Sequence, residues 1–174
     1  ENYMDGIKVG KNLTGAEFCA PIAALHGHVA HLSQKADYIF LPYYMEEKPQ
    51  KKNMKRNYCY YTQYVPAVIT SAIKITNKEK ILTPTLRTNK SPFYLKAALY
   101  RMLKTIPGCN ISFTKVSKAY DMALEDYQAA REHLKEVCIR ESTASNDICV
   151  VFLGRPYTIL SRSMNNGIPE IFAR

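Results

Sequence analysis

The sequence predicts an α/β fold with a mainly parallel sheet covered on both faces. Two observations carry this. Short, almost wholly apolar runs at 37–42, 80–84 and 147–153, the last being Asp147-Ile148-Cys149-Val150-Val151-Phe152-Leu153, read as strands buried on both sides. Between them lie segments whose apolar residues recur at helical spacing. Alternation of the two kinds is what a parallel sheet with crossover helices requires.

Taken in chain order, Gly6-Ile7-Lys8-Val9-Gly10 reads as a short strand. Residues 21–34 follow as a helix, with Ile22, Leu25, Val29 and Leu32 on one side and Pro21 in the first turn, where its missing N–H costs nothing. The run at 37–42 closes on Pro42. Residues 43–57 are polar and basic, with Lys48, Lys51, Lys52, Lys55 and Arg56, and read as an exposed loop. Residues 58–75 begin with Tyr58-Cys59-Tyr60-Tyr61, the cysteine preceding a helix, and continue into that helix through Val65, Val68, Ile69, Ala72 and Ile73. The strand at 80–84 again ends in Pro. Ser91 then caps a helix starting at Pro92 with Leu95, Ala98, Leu99, Met102, Leu103 and Ile106 inward, stopped by Pro107-Gly108. The longest helix spans 114–140, with Val116, Tyr120, Ala123, Tyr127, Ala130, Leu134 and Val137 in one stripe. The strand at 147–153 runs into Gly154-Arg155-Pro156-Tyr157.

Composition narrows the function classes. With 174 residues, 47% hydrophobic and 22% charged, the chain has a globular balance rather than that of a disordered tail. Mean hydropathy is −0.27, and there is no run of about 18 apolar residues, so no membrane-spanning helix is expected. No basic segment followed by an apolar stretch opens the chain, so no signal peptide is expected. The net charge of +9 permits an anionic partner. Five cysteines without a C-x-x-C pair point to a reducing, cytoplasmic setting, in which each thiol either packs or does chemistry.

Three constellations stand out. In the first, Cys19 lies just before a helix start and is followed by His26, Gly27 and His28. Free N–H groups and the positive end of the helix dipole favour an anion there, a thiolate or an anionic metal–sulfur cluster. A small packed cysteine is the plain alternative. His26 and His28 lie about 200° apart around the helix, and Cys19 about 10 Å along the axis from His26, so this segment cannot form a zinc site alone. The same separation argues against a Cys19–His26 nucleophile pair. One histidine is expected to face the site, and Gly27 marks the close approach of another backbone or a bulky group.

In the second, Cys59 stands among Tyr58, Tyr60, Tyr61 and Tyr64 beside the basic loop. An aromatic core edge is the simpler reading than a base-stacking platform, and no nucleic-acid motif accompanies it. In the third, Gly154 and Arg155 follow a strand, where Arg155 either holds a carboxylate or phosphate or makes a structural ion pair. Nucleotide-binding and hydrolase motifs are absent.

Together F-C-x-P-x-x-x-x-H-G-H at 18–28, Y-C-Y-Y-T-Q at 58–63 and G-R-P-Y with N-x-G-I-P at 154–169 resemble the domain attached to CoA-substrate-specific enzyme activases, which is related to 2-hydroxyacyl-CoA dehydratase components. The strand D-Y-I-F-L-P fits as well. The resemblance implies a flavodoxin-like, Rossmann-like three-layer α/β fold. It also implies a cytoplasmic iron–sulfur role: a [4Fe–4S] cluster with Cys19 and Cys59 among its ligands, and low-potential electron transfer from an ATP-hydrolysing activase domain or subunit. The pocket would be lined by His26 or His28 with Gln63 and Arg155, and Gly154, Arg155 and Tyr157 would contact a cofactor or CoA-linked substrate. Two features depart from the family: Cys59 is followed by Tyr60 where relatives have Pro, and the chain ends at Arg174, before the position of a third family cysteine. The expectation is therefore one α/β domain over 1–174 that is a fragment of a longer multidomain protein and holds a cluster poorly alone. The alternative is a non-catalytic binding or regulatory module of the same fold without a cluster.

Overall fold

The computed structural model describes residues 5–15, 17–47, 56–73, 78–143 and 150–172. It divides into two compact units, 1–120 and 121–174.

The first unit opens with two helices, α1 (Gly6–Leu13) and α2 (Ala20–Leu32). Residues 6–10 are thus helical, not the strand that their alternation predicts. The reason is tertiary. Gly6 and Gly10 fall one helical turn apart and set the α1 backbone directly against Ala23 and Gly27 of α2, so that a Cβ at Gly10 or Gly27 would collide with backbone atoms. Close packing on another helix outweighs the low helix propensity of glycine. The close approach expected at Gly27 is the backbone of Gly6.

The strands are β1 (Ile39–Phe40), β2 (Tyr43–Glu47), β3 (Arg56–Asn57), β4 (Ile81–Leu82) and β5 (Thr85–Arg87). β1 runs parallel to β4 and β2 parallel to β5, while β3 pairs antiparallel with β2. Partners stay 42 positions apart from Ile39↔Ile81 to Tyr44↔Leu86. Across the gap, Leu41 N–H donates to Leu82 O and Tyr43 N–H to Pro84 O, both at 2.9 Å. β1 with β2 and β4 with β5 therefore form one parallel pair with a break in the middle. In a parallel ladder the next rung would run from the N–H of residue 84 to Leu41 O, and Pro84 has no N–H to give.

Residues 43–47, expected in a loop, form β2 because this register continues past the break. Of the basic stretch, 48–55 lie outside the described residues. The parallel pairing agrees with the α/β reading. The full three-layer sheet expected from the resemblance goes further than these five short strands.

Two helices fill 58–73 in place of one: α3 (Tyr60–Gln63) and α4 (Val65–Ala72). The chain breaks helical geometry at Tyr64 (φ −111°, ψ 16°), just before Pro66, whose ring resists continuation of a helix through it. Ile22 and Val29 from α2 meet Val65, Ile69 and Ile73 from the α4 region over Ile39, Leu41 and Ile81. Fully burying each such side chain contributes about 1.5–3 kcal/mol. A second cluster joins Leu86 to Leu95 and Ala98 of α5 (Pro92–Leu103), with Leu99 and Tyr120 against it. Ser91 holds the N-cap position of α5 without a side-chain cap bond.

The longest helix, α6 (Phe113–Thr143), follows the predicted span. Val116 is buried, but Tyr127 and Leu134 of the same stripe are 60% and 66% exposed. In the second unit, residues 150–153 carry no strand, and Leu153 is 92% exposed. The strand expected at 147–153 is not formed over these four residues, and 147–149 lie outside the described ones. Short helices α7 (Pro156–Leu160), α8 (Arg162–Asn165) and α9 (Ile168–Phe172) follow. Buried Asn165 ties their turn, donating to Ile159 O (2.7 Å) and accepting from Gly167 N–H (2.8 Å).

Candidate functional site

Cys19 is the N-cap of α2, and Cys59 the N-cap of α3. Their backbones are nearly the same: φ −60°, ψ 151° at Cys19 and φ −61°, ψ 152° at Cys59. This extended conformation is what an N-cap adopts, and it turns each side chain towards the unpaired N–H groups of the first turn. The Cys59 sulfur accepts from Thr62 N–H (3.4 Å) and lies 3.2 Å from Thr62 Oγ1. Cys19 makes no such cap bond, although its carbonyl accepts from both Ile22 and Ala23 N–H at 3.0 Å. Both cysteines are exposed, and neither is in a disulfide.

An aromatic bridge joins the two segments. Phe18, next to Cys19, stacks on His26 (centroids 5.3 Å, 27° between planes) and meets Tyr61 edge-on (5.2 Å, 83°). Tyr61 lies two residues after Cys59. The two cysteine-bearing turns, forty positions apart in sequence, are thereby neighbours. A cavity of about 500 Å³ lined by Lys11, Thr14, Gly15, Glu17 and Phe18 opens along the residues leading into Cys19.

His26 is fully buried. Its Nδ1 lies 2.8 Å from Ile22 O, so Nδ1 carries the proton and donates. Nε2, buried as well, has no hydrogen-bond partner among the described residues. His28, on the other side of α2, is half-buried against α1, its ring next to Gly6. The opposite orientation of the two histidines follows the helical spacing. Gln63 is buried and donates its amide to Tyr58 O, a brace for the turn ahead of Cys59.

The expected third part of the site lies in the second unit. Arg155 is the N-cap of α7, its carbonyl accepting from Thr158 N–H and Oγ1 (2.9 and 2.8 Å). Gly154 and Arg155 are exposed, and Tyr157 is half-buried. Cys19, Cys59, His26 and Gln63 thus belong to adjoining turns of the first unit, whereas Gly154, Arg155 and Tyr157 form a separate turn. Among the described residues, no group of three or more His, Cys, Asp or Glu side chains is placed to hold a metal ion. Cys109 is half-buried, and Cys138 is exposed on α6.

Phe18 and Thr62 were given no role by sequence reasoning, and the tyrosine cluster around Cys59 did not mark Tyr61 as the contact to Phe18. An apolar residue immediately before an N-cap is a known signal for packing at a helix entry, and Phe18 occupies that position. Thr62, three residues after Cys59, holds the position from which a backbone N–H reaches an N-cap side chain.

The first unit is accordingly an α/β domain carrying a pair of exposed cysteine-capped helix starts joined through one phenylalanine. The chain belongs to the family described as CoA enzyme activase uncharacterised domain (DUF2229), whose model matches residues 4–174. No curated protein matches the chain, and no solved structure matches it. No helix among the described residues is long and apolar enough to cross a membrane.

Proposed function

We propose that this domain holds an iron–sulfur cluster through Cys19 and Cys59 and takes part in low-potential electron transfer coupled to an ATP-hydrolysing activase domain or subunit. The single observation behind this reading is the matched pair of cysteine N-caps drawn together by the Phe18–Tyr61 contact. The donor chemistry fits: exposed thiols supply the ligands such clusters take, and helix N-termini favour the negative charge of cluster and thiolates. Two thiols are half of a four-cysteine set, so the remaining ligands come from outside the described residues. A bound cluster would supply one-electron chemistry. The protein's own part is to fix two sulfurs through the Cys59–Thr62 bond, the Gln63–Tyr58 brace and the packing of Phe18 on His26. In this reading the parallel strands belong to a flavodoxin-like three-layer domain. Gly154, Arg155 and Tyr157 of the second unit bind the anionic part of a CoA-linked substrate or cofactor.

The test is anaerobic reconstitution with iron and sulfide, followed by metal and sulfide analysis. Stable incorporation that falls sharply in Cys19→Ala and in Cys59→Ala is expected. Incorporation unchanged in both variants refutes the ligand assignment. The absence of a three-donor group among the described residues favours a second reading, a binding or regulatory module without a cluster. Its signature is a folded chain that takes up no iron even when the longer protein is reconstituted.

A further inference from the structure

A second cavity, of about 430 Å³, opens in the first unit between β4–β5 and one face of α5. Its volume lies at the small end of the range of about 300–1,000 Å³ typical of sites for small organic ligands. Leu82, Ala98 and Met102 give it an apolar floor. Tyr94, Ala98 and Arg101 share a helix face by their spacing, which brings the phenol and the guanidinium to the same opening. Thr83 and Thr85 line the opposite wall. Arg101 makes one hydrogen bond, from Nε to Ala97 O (3.3 Å), and no ion pair among the described residues. Its terminal nitrogens are therefore open to an anion. Glu79 also lines the cavity and disfavours a doubly charged ligand more than a singly charged one.

From this arrangement we infer that the cleft binds a small amphipathic monocarboxylate, its carboxylate on Arg101 and its hydrocarbon part over Leu82, Ala98 and Met102. A lone guanidinium recognises a planar carboxylate through paired N–H groups, and the apolar floor needs a tail to cover it. The site is independent of the cysteine pair, so loss of one reading leaves the other standing.

The experiment is an amide NMR titration of the full chain with hexanoate, hexanol, hexylamine and inorganic phosphate. Hexanoate is expected to shift residues 81–85 and 94–105 saturably. Hexanol should bind there about tenfold more weakly, and hexylamine not at all. Arg101→Gln should weaken hexanoate about tenfold and leave hexanol unchanged. Lys104→Gln, which removes a cation of the same helix end outside the cavity, should change neither. Three results overturn the assignment: hexanoate shifts that do not saturate at 81–85, equal hexanoate affinity in Arg101→Gln, or phosphate displacing hexanoate at equal concentration.

Discussion

Cys19 and Cys59 cap their helices with the same backbone geometry, yet they are held in opposite ways. α2 behind Cys19 has 13 residues and is locked from the side, where Gly27 meets Gly6 and Ala23 meets Gly10. α3 behind Cys59 has four residues and is held by local polar bonds, from Thr62 to the sulfur and from Gln63 to Tyr58 O. One cysteine is positioned by packing and the other by hydrogen bonding. Substitutions that damage packing should therefore disturb the Cys19 turn globally, and those that remove hydrogen bonds should disturb the Cys59 turn locally.

The largest effect is expected for Gly27→Ala. The added methyl would strike the Gly6 backbone, so α1 must separate from α2 at a cost of about 2 kcal/mol or more in urea unfolding. A full-stability variant would show that α1 does not support the Cys19 cap. Phe18→Ala comes next. It removes the bridge shared by both turns and uncovers His26, with a loss of about 2 kcal/mol and faster alkylation of both thiols. Faster reaction at Cys19 alone would break the view that the turns are coupled. Gln63→Ala leaves the Tyr58 carbonyl without this donor and should cost about 1–2 kcal/mol while altering labelling of Cys59, not Cys19. Thr62→Val keeps the shape and the backbone N–H but removes the hydroxyl near the sulfur. Unchanged unfolding with an alkylation rate at Cys59 altered about threefold is expected. A change at Cys19 instead would reverse the comparison.

Much of the site was legible because it depends on local rules. A cysteine two positions before Pro21 reads as a cap from sequence alone, and helical spacing separates His26 from His28 before any contact is known. Cys59 stood out beside its tyrosines before any resemblance was drawn, and its cap bond with Thr62 N–H needed the structure. The glycine pair of α1 misled because its alternation mimics a strand, and only the partner helix reveals why two glycines stand one turn apart. The run at 147–153 has every compositional mark of a buried strand. Periodicity, though, says nothing of whether a neighbouring strand is present to accept it, and residues 150–153 take none. Phe18 escaped notice because a ring that touches two distant segments leaves no spacing signal in either.

The two prolines at one level of the strand pair have different jobs. The N–H groups of Leu41 and Tyr43 both point inward to the partner strand, so the nitrogen of Pro42 faces the outer rim. Pro84 costs the sheet an internal rung. Pro42 is itself buried, and with no N–H it leaves no unmet donor on that flank, where one would cost about 1–3 kcal/mol. A strand that must turn its second side towards packed neighbours gains by carrying no hydrogen there to be satisfied.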